Sequence, residues 1–249
     1  VTITSTYSGA DAGNYAVTDQ STTTGNIVPK VLTATAFASN KTYNATNSAS
    51  VTLTLSGLVG SETLGSTNTS TFNNKNVGSN KTVTVNSITL ADGSGLAANY
   101  SISAGQTTTA NITVKSLTVS NVSASNKTYD GTTTALMDGT SAVYSGLVNG
   151  DTFDGTYTGV FSDKNVGTGK TVTITSSYSG ADVSNYSVTD QSSTTANITA
   201  KSLTVSGITA SDKTYDGSVT ATMNGNSAVY SGLVPGDTFN GSYTGAFSN

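Results

Sequence analysis

Aspartate side chains at glycine-rich turns are the residues of this chain best suited to chemistry, because their oxygens are ligands that calcium prefers. The candidates are Asp130, Asp151 and Asp154, followed by Asp216 and Asp237 in a later copy of the same pattern. Such residues also satisfy turn backbones through their side-chain oxygens. Asp154 becomes Asn240 in the later copy, which favours the turn role. We therefore expect no metal site and no cofactor.

Catalytic constellations are missing from the composition. The chain contains no histidine and no cysteine, so it can form neither a Ser-His-Asp triad nor an ordinary zinc site. An aspartic dyad would need two Asp-Thr/Ser-Gly loops, and the sequences at Asp130 ("DGT") and Asp151 ("DTF") have the wrong order. Every aspartate pair suited to a glycosidase lies in a recurring turn. The sequence predicts a protein that is not an enzyme.

Charge and hydropathy exclude two classes of partner. Ten lysines are scattered among fourteen acidic residues, which gives a net charge of -4. No basic stripe is available to neutralise phosphates, so we expect no nucleic-acid binding. No apolar run approaches the roughly 20 residues that cross a bilayer, so we expect no membrane insertion. The absence of cysteine is compatible with an oxidising exterior.

Internal repetition is the strongest signal in the sequence. "KTYN" at Lys41 and "KTYDG" at Lys127 and Lys213 are spaced 86 residues apart, and "NYS" at Asn99 and Asn185 keeps the same spacing. The predicted organisation is the C-terminal part of a repeat at 1–29, complete repeats at 30–114 and 115–200, and the N-terminal part of a repeat at 201–249. A second phase, with units of about 1–74, 83–163 and 172–249, remains open.

The local pattern is that of β-strands. Apolar residues alternate with threonine and serine in "VTLTL" from Val51 and in "KTVTITSSYS" from Lys170, which is the period of half-buried strands. A period of this length with about seven or eight short strands has the size of a β-sandwich domain. We predict an all-β fold in which tandem immunoglobulin-like β-sandwich domains form a linear array.

Two tyrosine motifs refine this prediction. "DAGNYAV" from Asp11 resembles an immunoglobulin-like signature with Val17 in place of its cysteine, which assigns a tyrosine-corner role. In "KTYDG", the tyrosine should bury its ring at a strand end while Asp-Gly makes the following turn. The residues given these structural roles are Tyr15, Tyr100, Tyr186, Tyr43, Tyr129, Tyr215, Asp130, Gly131, Asp216 and Gly217. The first copy reads Tyr43-Asn44-Ala45, so we expect a different turn there.

The ordered motifs "KxLT", "KTYDG", "SGLVxGDTF", "FSDKNVGTGKTVT", "SGADxxNY" and "TTANIT" carry a family resemblance. They resemble the YDG-repeat region of large bacterial filamentous-haemagglutinin-like surface adhesins. That resemblance implies secreted, tandemly repeated stalk or fibre regions at the bacterial cell surface. It implies no catalytic residues.

The function expected from these features is mechanical. A structural stalk or fibre segment of a large secreted surface adhesin would contact neighbouring repeats of the same chain or identical chains in a fibre. A host or cell-surface receptor would bind elsewhere. We expect a strand to run through each junction, such as "TTANITVKSLTV". One alternative is a self-assembling extracellular filament subunit completed by strand exchange, and a second is a calcium-dependent carbohydrate- or ice-binding module that uses exposed aromatics.

Overall fold

Strands make up the regular structure of the protein. A computed structural model describes residues 1–248. Within that range there is no α-helix, and three single-turn 3₁₀ helices occur at Ala12–Asn14, Ala97–Asn99 and Val183–Asn185. The all-β prediction is therefore confirmed. No helix in residues 1–248 is long and apolar enough to cross a membrane.

The chain divides into two compact units. The first comprises Val1–Lys41 and Thr46–Thr113, and the second comprises Thr42–Ala45 and the described chain from Val114 onward. The strands up to Thr113 are β1 (Lys30–Val31), β2 (Thr33–Ala38), β3 (Lys41–Thr42), β4 (Val51–Ser56), β5 (Leu64–Phe72), β6 (Gly78–Asp92), β7 (Tyr100–Ser101) and β8 (Thr107–Thr113).

The second unit contains the shorter and more numerous strands. They are β9 (Lys115–Ser120), β10 (Ser123–Ala124), β11 (Lys127–Thr128), β12 (Thr134–Ala135), β13 (Met137–Asp138), β14 (Val143–Ser145), β15 (Asp154–Phe161), β16 (Gly167–Ser179), β17 (Tyr186–Thr189), β18 (Ser193–Thr199), β19 (Thr204–Ser206), β20 (Thr209–Ala210), β21 (Thr220–Ala221), β22 (Met223–Asn224), β23 (Val229–Ser231) and β24 (Gly245–Ala246).

In the first unit, an antiparallel sheet is built on the long strand β6. β6 pairs with β5 on one side and with β8 on the other, and Lys41 of β3 lies at the edge next to β8. The alternation in the sequence sets which side chains are buried, since Val83 and Val85 point into the core while the intervening threonine does not. Phe72 and Ile112 complete this small core.

The second unit repeats the arrangement around β16. Its five-stranded sheet has the order β11-β18-β16-β15-β12, and a three-stranded sheet has the order β14-β9-β17. The main apolar cluster consists of Ala135, Phe161, Val172, Ala196 and Ile198. The sheets of the repeats are curled and nearly closed. Because aromatic side chains are few, each repeat has a small core of its own.

The strand expected to run through each junction is interrupted, so that prediction is wrong. β8 ends at Thr113 and β9 begins at Lys115, while β18 ends at Thr199 and β19 begins at Thr204. After each break the chain pairs with strands of a different sheet. The hydrogen-bond ladder of the preceding sheet therefore ends at the break.

The turn after the repeated tyrosine has a left-handed residue in all three copies. Gly131 has φ +79° and Gly217 has φ +75°. Ala45 takes the same place in the first copy with φ +60°. The expectation of a different turn geometry there is wrong, because alanine adopts the conformation in which glycine is favoured despite the steric cost to its Cβ.

Replacing Ala45 by glycine should therefore stabilise the protein. We expect Ala45→Gly to raise the free energy of unfolding by about 1 kcal/mol, because glycine adopts positive φ without the clash. Chemical denaturation of the wild type and the variant measures the difference. Asn121→Gly is the matched control: Asn121 has φ +65°, which asparagine tolerates, so its change should be smaller. Equal gains would contradict the strain at Ala45.

Candidate functional site

The lysine of each "KTY" motif holds the turn that follows it. Lys127 Nζ donates to the carbonyl oxygens of Thr132 at 3.0 Å and Thr134 at 3.1 Å, and lies 2.7 Å from a carboxylate oxygen of Asp130. It also lies 5.8 Å from the centroid of the Phe161 ring. The ammonium group of Lys127 thus links the turn to the core of its own repeat.

The other two copies of this lysine also bond to carbonyl oxygens of the turn that follows and lie near an aromatic ring. Lys41 donates to the carbonyl oxygens of Thr46 at 2.7 Å and Ser48 at 2.9 Å, and lies 5.4 Å from the ring of Phe72. Burial lowers the pKa of Lys41, whose copy has Asn44 in place of the aspartate. Lys213 lies 5.9 Å from the ring of Phe247.

The aspartates of "YDG" act on the turn backbone. Asp130 Oδ1 accepts from the Thr132 N–H at 2.9 Å, and Asp216 Oδ1 accepts from the Ser218 N–H at 2.9 Å. The hydrogen bond from Lys127 lowers the pKa of Asp130 to about 2, and Lys213 lowers the pKa of Asp216. Within residues 1–248, no cluster of three or more acidic side chains could hold a metal ion.

The "NYS" tyrosines of the two complete repeats bridge two loops. In the second unit, the Tyr186 hydroxyl donates to Asp151 at 2.6 Å and accepts from the Val148 N–H at 3.0 Å. Burial raises the pKa of Tyr186 to about 12, and the bond to Asp151 adds to this effect. In the first unit, Tyr100 makes the equivalent contacts with Glu62 and with the Val59 N–H.

Two "KTY" tyrosines contact the repeat that follows them, Tyr43 as a buried side chain and Tyr129 as a half-buried one. Tyr43 belongs to the second unit, where it is 1% exposed. Its ring meets Tyr186 edge-on with centroids 5.6 Å apart, and its hydroxyl lies 3.4 Å from Asp182 Oδ1. A ring from one repeat therefore packs on the loop-bridging tyrosine of the next.

Tyr129 repeats this behaviour at the next junction. Its hydroxyl donates to Asp237 Oδ2 at 2.7 Å, and Lys164 Nζ lies 3.3 Å from Asp237 Oδ1. The hydrogen bond from Tyr129 and the charge of Lys164 lower the pKa of Asp237. A Cβ on Gly131 would lie 2.9 Å from Val234 Cγ1, so the turn approaches the next repeat closely. We call the contacts of Tyr129 with Asp237 and Lys164, together with the approach of Gly131 to Val234, the junction site.

The remaining predicted tyrosines lie elsewhere. Tyr215 is 92% exposed and Tyr15 is also exposed, so neither buries its ring as the motif predicted. A sugar-binding site would need exposed aromatics, but Tyr144 and Tyr157 are half-buried and paired, with their hydroxyls 3.0 Å apart. Tyr230 pairs in the same way with Tyr243 at 2.7 Å.

Sequence reasoning missed the partners of the "KTY" motif. Lys164 stands in the recurring "KNVG" segment and Phe161 just before it. Their counterparts Lys75 and Phe72 lie 89 residues earlier, and Phe247 lies 86 residues after Phe161. That recurrence was the only available signal. It shows that a residue is part of the repeat without showing which other residue it contacts.

The repeated motifs, in which the lysine holds its turn in all three copies, define a tandem β-repeat protein. A family model described as "YDG domain" matches residues 28–110, 113–196 and 199–249, and the chain therefore belongs to the YDG domain family. No curated protein and no solved structure matches the chain.

Alkaline pH should weaken the second unit through Tyr186. Its pKa rises from 10.0 to about 12 on folding, so its contribution is complete below pH 10 and is lost as pH rises from 10 through 12. We expect the free energy of unfolding to fall less steeply with pH over that window in Tyr186→Phe than in the wild type. Denaturation series at closely spaced pH values measure both slopes. Parallel slopes would show that Tyr186 is not responsible.

The junction site should contribute to stability through the Tyr129 hydroxyl. We expect Tyr129→Phe to lower the free energy of unfolding by about 1–2 kcal/mol, because the hydrogen bond to a carboxylate is lost while the ring remains. Tyr215→Phe is the matched control, since the same change at an exposed copy should cost under about 0.5 kcal/mol. A similar loss in both variants would argue against the junction contact.

Proposed function

We propose that this chain is a structural stalk or fibre segment of a large secreted bacterial surface adhesin and that it performs no catalysis. The ordered repeat motifs support a surface protein of the filamentous-haemagglutinin-like type. The expected location is extracellular, at the bacterial cell surface. Its partners are then neighbouring repeats, with any receptor bound outside this chain.

The junction site is the observation that carries the proposal. Tyr129 of one repeat reaches Asp237 of the next inside a single compact unit. A chain of independently tumbling domains would need no such contact. A side chain that closes on the following repeat fixes the angle between them and limits bending.

The segment between the two repeats supports the same interpretation. Only residues 200–203, "AKSL", separate β18 from β19, and they contain no glycine or proline. A linker this short gives little freedom compared with a flexible Gly/Ser linker. The ring of Tyr129 and the short connection together favour a stiff array, as a stalk requires.

Composition supports an exposed mechanical role as well. Most of the polar side chains are serine, threonine and asparagine, and only 10% of the residues are charged. The lysine contacts at the turns are local, and the pair Lys164–Asp237 is partly exposed, so it adds little to stability. Stiffness in this proposal rests on packed rings and hydrogen bonds, which salt screens only weakly.

For the repeat itself we propose a variant of the immunoglobulin-like sandwich. The structural tyrosine supports it, since Tyr186 fixes a loop by its hydroxyl as a tyrosine corner does. The partner differs: Val148 lies 38 residues upstream of Tyr186, whereas a tyrosine corner bonds to backbone a few residues away. An experimental structure of one repeat would decide the strand order.

Surface display and shape test the functional proposal. We expect antibodies against this chain to label intact producing cells, and electron microscopy of the purified protein to show straight particles of uniform length. The control is labelling of a cytoplasmic protein, which should require permeabilised cells. Labelling of this chain only after permeabilisation would overturn the surface assignment, and freely bent particles would overturn the stalk.

A further inference from the structure

In each complete repeat, strands at the start of the repeat pair in parallel with strands at its end. In the repeat 115–200, β9 pairs in parallel with β17, with Lys115 opposite Tyr186 and Thr118 opposite Thr189. The hairpins of the same repeat are antiparallel. Parallel partners need a long crossover connection, and here the strands β10 to β16 lie within that connection.

A second parallel pair joins the start and the end of the same repeat. β11 pairs with β18, with Lys127 opposite Ile198. The Thr199 hydroxyl donates to the carbonyl oxygen of Lys127 at 3.3 Å. The Asn197 N–H donates to Asn126 Oδ1 at 2.7 Å. Side chains therefore add hydrogen bonds to a pair that is short in backbone terms.

One glutamine side chain bonds the segment between these two pairs. The Gln191 amide group donates to the Val122 carbonyl oxygen at 2.8 Å, and the Gln191 side-chain oxygen accepts from the Val122 N–H at 2.9 Å. Val122 is buried, so these bonds are shielded from water. We call the pairs β9·β17 and β11·β18, together with the Gln191–Val122 bonds, the closing ladder of this repeat.

The repeat 30–114 has a shorter closing ladder. β1 pairs in parallel with β7 over two residue pairs, whereas β9 and β17 pair over four. The Asn111 N–H donates to Asn40 Oδ1 at 2.7 Å, as the Asn197 N–H does to Asn126. The arrangement thus recurs with the repeat.

The direction of the paired strands decides how they bear tension. Tension along the chain pulls Lys115 toward the preceding residues and Thr199 toward the following ones. Because the paired strands are parallel, these opposite pulls act along the strands and load the bonds of the closing ladder together. A pull across the ladder would instead break its bonds one after another. While the ladder holds, the strands within the crossover connection carry no tension.

We propose that the closing ladder is a shear clamp, which keeps each complete repeat folded while tension passes along the chain. Because β1·β7 is shorter than β9·β17, the repeat 30–114 yields at a lower force than the repeat 115–200. The clamp rests on the proposed stalk function, since a stalk transmits tension. It concerns the force that one repeat withstands, so its failure would leave the surface location and the straight shape untouched.

Single-molecule force spectroscopy of the 249-residue chain tests the clamp through the direction of pull. One preparation is held by its two ends. The other is held by Thr118→Cys and Thr189→Cys, which replace exposed residues that lie opposite each other in the β9·β17 pair. The natural chain has no cysteine, so attachment is confined to these positions.

Pulling from the ends should unfold the repeat 115–200 at a severalfold higher force than pulling through positions 118 and 189, because the second geometry opens the ladder bond by bond. From the ends, each complete repeat should open in one step that releases roughly 250 to 300 Å of chain. Equal forces in the two geometries would overturn the clamp, and so would a repeat that opens in several small steps.

Substitution identifies the bonds that bear the load. Asn126→Ala removes the acceptor of the Asn197 N–H in the repeat 115–200, and Asn40→Ala removes the equivalent acceptor in the repeat 30–114. We expect Asn126→Ala to lower the higher of the two unfolding forces and Asn40→Ala to lower the other, each without changing its neighbour. If both variants acted on the same step, or on neither, the proposal would be wrong.

Asp138→Ala is the control for a loss of stability outside the ladder. It removes the acceptor of the Thr140 N–H, at 2.8 Å, in the turn between β13 and β14. Chemical denaturation should show a lower free energy of unfolding for Asp138→Ala as for Asn126→Ala. Its unfolding forces should nevertheless equal those of the wild type, because forced unfolding depends on the unfolding barrier. A fall in force as large as that of Asn126→Ala would contradict the clamp.

Discussion

The structure depends on the left-handed turn that follows each "KTY" tyrosine. Lys127 fastens this turn to its own repeat through carbonyl oxygens and the face of Phe161, while Tyr129 packs against the core of that repeat and donates its hydroxyl to Asp237 of the next. A tyrosine on a flexible loop would lose much of its binding free energy as conformational entropy. Because Lys127 holds the turn in place, the hydroxyl of Tyr129 can bond to the next repeat at small entropic cost.

The three copies of the motif show that the turn and the junction are separable. Lys213 fastens its turn as the other copies do, although Tyr215 is exposed. In the first copy the aspartate is replaced by Asn44 and the glycine by Ala45, yet the lysine contacts and the positive φ are retained. Backbone carbonyls are therefore sufficient acceptors for the lysine. Where the aspartate is present, its salt bridge with the lysine adds little to stability.

Sequence alone could predict the repeat, the strands and the turns, because these depend on periodicity and on residues a few positions apart. The alternation around Val83 and Val172 correctly indicates buried strands. The positive φ at Gly131 follows from the Asp-Gly pair. The same rules failed at Ala45, where packing of the turn overrides the preference of alanine for negative φ.

The partners of the tyrosines could not be predicted, because they lie far away in sequence. Tyr129 and Asp237 are 108 residues apart, and no local rule links a tyrosine in one copy to an aspartate in the next. From the sequence, Asp237 is equally a candidate calcium ligand, since an aspartate in a turn fits both roles. A repeat whose tyrosine packs on its own core and bonds to an aspartate of the next repeat gains stability from that neighbour, so stability along the array includes nearest-neighbour terms. In the stalk that we propose, stiffness and stability arise from the same contact.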